Sequence, residues 1–256
     1  MMLETFPLGW KVAMRHWAIY RKNFLSNILP TVTDPIFYMI VFGYWLGGHV
    51  NQIEGMAYAK FLGPGMVLTT CLYTAFFEAS YGFFIRMEFQ GVYHAMMTTP
   101  VGAREILVGE FFWVALKGAV TATVTAIVLT LAGLVDATYL PLIPLLGALA
   151  GLGCGSIGLI SAGYVRNMDQ FQTVYALVIS PMFFVSGIFF PVEQLPPWIQ
   201  KICWLSPLFH GVKVGQATLW GKNVAATWAV HGSLLALISA ALMFWAIRKI
   251  YPKLYQ

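Results

Sequence analysis

The sequence predicts an all-α polytopic membrane protein with six transmembrane helices, an N-terminal amphipathic interfacial helix, and an external re-entrant helical hairpin before the last span. Three observations predict it. First, hydrophobic residues make up 59% of the chain and charged residues 10%, whereas a water-soluble domain carries about 25% charge. Too few charges remain to coat a globule, so the bilayer must solvate most of the surface. Second, apolar runs near the roughly 20-residue length of a spanning helix recur, separated by short basic or polar stretches. Third, residues 181–212, PMFFVSGIFFPVEQLPPWIQKICWLSPLFHGV, start as a membrane run, break at a Pro- and Trp-rich passage, and resume as apolar sequence. A loop in water would be polar. Trp198 and Trp204 instead favour the membrane–water boundary. The segment reads as a hairpin dipping back into the bilayer, with an aromatic-rich surface loop as the alternative.

Residues 7–25 place Trp10, Met14 and Trp17 three to four residues apart, with Lys11, Arg15, Arg21 and Lys22 off that face. This is a basic amphipathic helix for the cytoplasmic membrane surface, too charged to span. Spans are expected at 28–48, 60–84, 106–135, 141–164, 171–190 and 227–247. In the first, Pro35 suits the opening position of a helix with Asp34 as its cap; a kink is the alternative. A short polar loop, 49–58, follows.

The second span carries Glu78, and the third carries Glu110 and Lys117 with Trp113 between them. A carboxylate at bilayer depth is costly and marks a candidate functional site. Bonding to a neighbouring helix, or a place near the water, is the bland reading. Glu110 and Lys117 are seven residues apart, too far for a simple i,i+4 pair, so each must find a partner elsewhere or face water. Lys117 can snorkel. These four residues are the candidates for a substrate path. In the fourth span, GLGCGSIG at 151–158 is rich in small residues, which permits close helix–helix approach in lipid.

Residues 85–105 carry Arg86, Glu88, Arg104 and Glu105 and cannot span. Phe89–Met97 is a short amphipathic core closed by Thr98-Thr99-Pro100, a helix and turn outside the bilayer with an apolar face for a partner. Residues 213–226 read as a polar return to the last span.

Orientation follows from the bias of Lys and Arg toward cytoplasmic loops. With six spans both ends share a side, and that side holds Lys11, Arg15, Arg21, Lys22, Arg86, Arg104, Arg166, Arg248, Lys249 and Lys253. The other side holds Lys60, Lys201, Lys213 and Lys222. Both termini and residues 85–105 are therefore expected in the cytoplasm, and residues 191–212 outside. The start carries Glu4 before any lysine and lacks an apolar core, so no signal peptide is expected.

Several chemistries find no motif. There is no G-x-x-x-x-G-K-[ST], no HExxH and no G-x-S-x-G. Cys71, Cys154 and Cys203 have no metal spacing and read as small core residues. The five histidines are scattered. The net charge of +5 sits between apolar runs and reports topology, so no nucleic acid is expected. A pump built on this chain needs an external engine. A lipid- or glycan-modifying intramembrane enzyme and a stand-alone channel or carrier are the competing classes.

Four segments carry a family resemblance: FEASYGFFIRMEFQGVYHAMMTTP at 77–100, GEFFWVALKG at 109–118, SGIFFPVEQLPPW at 186–198 and LSPLFHGV at 205–212. Together they resemble the membrane subunit of a type-2 ABC exporter, closest to the permeases of nodulation-factor (lipo-oligosaccharide) export, across almost the whole chain. The resemblance implies a non-enzymatic subunit of a bacterial inner-membrane exporter, forming a homodimer with two copies of a separate ATP-binding subunit. That subunit would hold ATP and magnesium, and this chain no cofactor. A coupling helix would map onto Glu88, Val92, Tyr93, Met96, Met97, Thr98, Thr99 and Pro100. The re-entrant pair near the outer exit would map onto 191–208, with Pro191, Leu195, Pro196, Pro197 and Trp198 as a gate.

Overall fold

The computed structural model describes residues 2–46, 52–53 and 55–255. The expected end of the first span at 47–48, and residues 49–51 and 54 of the following loop, lie outside the described residues. Among the described residues there is no strand, only an isolated bridge between Ile53 and Met56. Four helical stretches are long and apolar enough to cross a membrane: Phe24–Val41, Ala103–Leu131, Leu140–Tyr164 and Val224–Lys253.

Helix α1, Met2–Lys22, is longer than the expected 7–25 at its start. It buries Gly9, Val12, Ala13, His16 and Tyr20, a 3–4 residue stripe, against α5, Ala103–Leu131. Gly9 lies over Val108, and Gly109 over Val12. The face expected to meet the membrane stays clear of this contact. Trp10 and Met14 are exposed, at 51% and 42%, and are free to meet lipid while small residues meet protein. Thr5 Oγ1 donates to Glu105 Oε1 at 2.9 Å, and Glu105 accepts from the Gly102 N–H at 3.0 Å, pinning α1 to the start of α5.

Helix α2, Phe24–Tyr38, runs into a widened π-type stretch, Met39–Leu46. It begins ten residues before Asp34, so the expected cap is corrected: Pro30 and Pro35 both lie inside the helix. A helical proline leaves the carbonyl four residues back without its donor, and in lipid a neighbour must replace it. Thr125 Oγ1 donates to the Thr31 carbonyl that Pro35 frees, at 3.4 Å. The same device serves α3, Tyr58–Phe77, where Pro64 frees the Lys60 carbonyl and Trp220 Nε1 donates to it at 3.2 Å.

Beyond α3 the helix continues through two widened turns, Glu78–Gly82 and Ile85–Phe89, to α4, Val92–Met97, which Gly91 introduces at a φ of 58°. Helix α6, Ile143–Tyr164, packs on α3, on α5 and on α12, Ser233–Lys253. Its small residues work as expected: a Cβ on Gly147 would lie 2.5 Å from the Gly118 carbonyl oxygen, so α5 and α6 touch backbone to backbone. Helix α7, Gln170–Val174, passes through Tyr175–Ile179 into α8, Ser180–Phe184.

After α8 come α9, Pro197–Cys203, and α10, Pro207–Trp220. The expected polar return at 213–226 is thereby corrected. Residues 213–220 are a buried helix, because their polar groups are satisfied in place. Gln216 donates to the Gly187 carbonyl, and Thr218 Oγ1 donates to the Val214 carbonyl while accepting from Trp228 Nε1. Gly221, at a φ of 66°, ends α10. Helix α11, Val224–Thr227, then leads into the last stretch.

Two apolar cores stack along the bundle. One, around Phe61, Leu68, Leu146 and Val212, lies toward α10. The other, around Phe83, Tyr93, Ile106, Phe171 and Ile250, lies toward α1 and α4. The last helix ends at the second core: Lys253 Nζ reaches the carbonyls of Ala162 and Val165, each at 3.0 Å.

Candidate functional site

Where α1, α5 and the widened turns after α3 meet, ionisable side chains interlock. Arg86 is the hub. Its Nη1 donates to Glu78 Oε1 at 2.6 Å, its Nη2 to Glu110 Oε2 at 3.0 Å, and its Nε to the Tyr93 hydroxyl at 2.8 Å. The Tyr93 hydroxyl donates to Glu110 Oε1 at 2.6 Å. Lys117 Nζ donates to the other oxygen of Glu78. His16 Nε2 approaches Glu110 Oε1 at 2.8 Å, off the hydrogen-bond direction.

Charges therefore alternate along the chain Lys117, Glu78, Arg86, Glu110. Burying one carboxylate costs several kcal/mol unless it is paired and hydrogen-bonded. Glu110 is wholly buried and tolerable because a guanidinium and a phenol share its two oxygens. A planar fork with five N–H groups serves three spread-out partners at once, a fixed geometry that the compact ammonium of a lysine lacks. The two widened turns shift the helix face on which Arg86 emerges.

Three cavities with shared walls form one groove. The first, about 250 Å³, is bordered by Arg15, His16, Tyr20, Arg86, Trp113 and Lys117. The second, about 470 Å³, shares Glu78, Gly82 and Lys117 with it and adds Asp34, Phe77 and Tyr175. The third, about 380 Å³, shares Pro30, Asp34, Tyr73 and Thr74 with the second and continues to Tyr38 and Met66. Along the groove the charged groups thin to Asp34 alone, among Thr, Tyr, Phe and Met. Phe77 stacks on Tyr175 at 5.9 Å, and Tyr73 tilts against Tyr175 at 6.2 Å.

Of the expected path residues, Glu78, Trp113 and Lys117 line this groove. Glu110 is corrected: it stands behind the wall and holds Arg86 and Tyr93. Arg86 and His16 were not among the expected site residues. Their signal in the sequence was weak, since Arg86 follows Glu78 by eight residues across irregular turns and His16 sits on a helix read as a surface element.

The expected coupling residues divide by burial. Glu88, Thr98, Thr99 and Pro100 are exposed, and Glu88 lies 3.6 Å from Lys253. Val92, Met96 and Met97 are half-buried against the second core. Tyr93 is fully buried and stacks on Phe83 at 4.9 Å. It is therefore corrected from contact surface to anchor. Its exposed neighbours are His94 and Ala95.

At the opposite end, Pro196, Pro197 and Trp198 are exposed, Leu195 is half-buried and Pro191 is buried. Glu193 pairs with Lys213 at 2.7 Å. Partial burial pushes the Glu193 carboxyl up, but the Lys213 hydrogen bond and charge outweigh it and hold the carboxyl below its usual range. His210 is buried, with Nε2 2.9 Å from the Trp204 carbonyl and Nδ1 2.9 Å from His231 Nδ1. It is hydrogen-bonded on both nitrogens, as a structural role requires.

Residues 9–220 match the model of the ABC-2 type transporter family. The chain belongs to that family. It is 34% identical to Nodulation protein J of Rhizobium leguminosarum bv. viciae over 230 residues, covering 88% of each chain. It is 33% identical to Nodulation protein J of Rhizobium meliloti over 218 residues, covering 84% of this chain and 83% of the relative. It is also similar, at 24% identity over 94% of this chain and 95% of the relative, to the Inner membrane transport permease YadH of Escherichia coli. An ABC-2 permease is a transmembrane transport subunit, and the apolar helices fit a multi-pass membrane protein.

Proposed function

We propose that this permease is the membrane half of an ATP-driven exporter that moves an amphiphile outward across a bacterial inner membrane. Its substrate class is glycolipid or lipo-oligosaccharide, polysaccharide, or hydrophobic drug. Two copies pair with each other and with two copies of a separate ATP-binding-cassette subunit, which holds ATP and magnesium. Both termini and residues 85–105 face the cytoplasm, and the 191–212 hairpin faces outward as a lid. Tyr58–Phe77 with its continuation, and Gln170–Val174 through Ser180–Phe184, bring the spans to six.

The observation that carries this reading is the groove, with a charged mouth beside α1 and walls beyond it that mix Tyr38, Met66, Tyr73, Phe77 and Tyr175 with Asp34 and threonines. An amphiphile needs both kinds of surface, and two packed halves can open such a path to alternate sides. The permease has no nucleotide motif of its own, so ATP energy arrives mechanically. Helix α4 is the receiver: its exposed residues meet the ATPase, and its buried Tyr93 touches the groove-mouth network. A push on α4 shifts the phenol from Glu110 and frees Arg86 to let go of Glu78. That changes the charge facing the groove.

The test is ATP-dependent uptake of labelled amphiphiles into inverted vesicles holding the permease and its ATPase. Uptake that needs both proteins supports the reading. Uptake by the permease alone without ATP would point to a channel or carrier.

A further inference from the structure

We infer that the cavity at the groove mouth is a binding site for a monoanionic tetrahedral oxyanion, a phosphodiester or sulfate ester of an amphiphile's headgroup. Among the described residues, four polar atoms on its wall are buried without a hydrogen-bond partner: Arg15 Nη1, Tyr20 Oη, Trp113 Nε1 and His16 Nε2, of which only His16 Nε2 has a charged neighbour, Glu110 at 2.8 Å. Tyr20 and Trp113 are 4% and 3% exposed, and all four residues border the same 250 Å³ cavity. Buried polar groups are nearly always satisfied, and each exception needs a reason. One stray donor is unremarkable. Three donors on one cavity call for one acceptor-rich guest.

The cluster is tight. The Tyr20 and Trp113 rings lie 5.6 Å apart, and Lys117 Nζ stands 5.7 Å and 5.9 Å from their centroids. An indole N–H and a guanidinium can only donate. A cationic or donor-only guest is thereby excluded.

Charge fixes the valence. Lys117 and Arg86 are already balanced by Glu78 and Glu110. Arg15 forms no ion pair among the described residues. With His16 counted as neutral, the cavity carries about one uncompensated positive charge, on Arg15, matched by one negative charge. At about 250 Å³ it lies below the roughly 300–1,000 Å³ of drug-sized pockets, the size of a headgroup rather than a whole amphiphile. Arg15 follows the exposed Met14 on α1, so the guest's tail has lipid within reach.

The inference deepens the transport reading and rests on it for the groove's role. Its test needs only the purified permease, so binding and transport can fail separately. Dihexanoyl-phosphatidylglycerol and uncharged dihexanoylglycerol are titrated against the detergent-solubilised permease by calorimetry. Inorganic phosphate and sulfate then serve as competitors.

The phospholipid is expected to bind and the uncharged lipid not. Arg15→Gln is expected to weaken binding about tenfold or more, the loss for a charge-assisted hydrogen bond. Tyr20→Phe and Trp113→Phe, which keep the rings, should each weaken it a few-fold, and Lys11→Gln on the same helix should leave it unchanged. Competition by inorganic phosphate or sulfate supports the oxyanion site with a free anion as guest. Binding without competition supports it with a lipid-borne headgroup. Equal binding of both lipids, no binding, or equal effects of Arg15→Gln and Lys11→Gln would overturn the inference.

Discussion

The Tyr93 hydroxyl donates to Glu110 Oε1 at 2.6 Å, joining a six-residue helix to a buried carboxylate on the long α5. The same phenol accepts from Arg86 Nε at 2.8 Å. One oxygen atom thus links the segment proposed to meet the ATPase with the residues bordering the groove.

Removing that oxygen separates coupling from folding. Tyr93→Phe keeps the ring and its Phe83 stack but leaves Glu110 short of one donor. The expected cost is about 1–3 kcal/mol, enough to lower the thermal midpoint without loss of folding. ATPase stimulation by substrate is expected to fall several-fold in the purified complex. An unchanged ratio of stimulated to basal ATPase would detach Tyr93 from coupling.

Glu110 is the costliest residue to lose. Glu110→Ala leaves Arg86 Nη2 and the Tyr93 hydroxyl without their acceptor and Glu78 alone to balance Arg86 and Lys117, and breaking one partner of a buried pair costs about 3–5 kcal/mol. Poor yield and an early-melting protein are expected in detergent. Arg86→Met combined with Glu110→Leu should recover part of the stability. A double variant no better than Glu110→Ala would contradict a pairwise role.

Close helix contact is tested at Gly147. Its added Cβ would meet the Gly118 carbonyl oxygen at 2.5 Å, so Gly147→Ala must push α5 from α6 at about 1–3 kcal/mol. Gly133, with open space around its Cβ position, serves as the control position but holds a φ of 72°, where a modest backbone strain is expected. Thermal unfolding should rank Gly147→Ala below Gly133→Ala. The reverse order would mean that α5 and α6 are not held together there.

Contact with the ATPase is tested by cysteines on α4. Cysteine at His94 or Thr98, both exposed, should crosslink to the ATPase in membranes. A charge at Met97, half-buried against the second core, should lower stability as well as coupling. Crosslinking from neither exposed position would remove α4 as the docking element.

Four of the expected spans, 28–48, 106–135, 141–164 and 227–247, were legible because apolar runs of spanning length are a one-dimensional signal. The helix interiors were less so. Asp34-Pro35 read as a helix start because local chemistry permits it. The Thr125 hydroxyl that rescues the Thr31 carbonyl lies 94 residues away and leaves no local mark. Likewise α1 showed its apolar Trp10 and Met14 face in the sequence, but not the second face, Gly9, Val12 and Ala13, that a tight contact with α5 selects. Glu78, Glu110 and Lys117 stood out as charges in apolar runs. Arg86 and Tyr93 did not, because their segment is polar enough to sit outside the bilayer.

The most direct measurement compares ATP-driven uptake and ATP hydrolysis by wild-type and Tyr93→Phe complexes in inverted vesicles. ATP hydrolysis that continues while uptake falls several-fold is the predicted result. Wild-type uptake by Tyr93→Phe, or uptake by either protein without ATP, would contradict coupling through Tyr93 and Glu110.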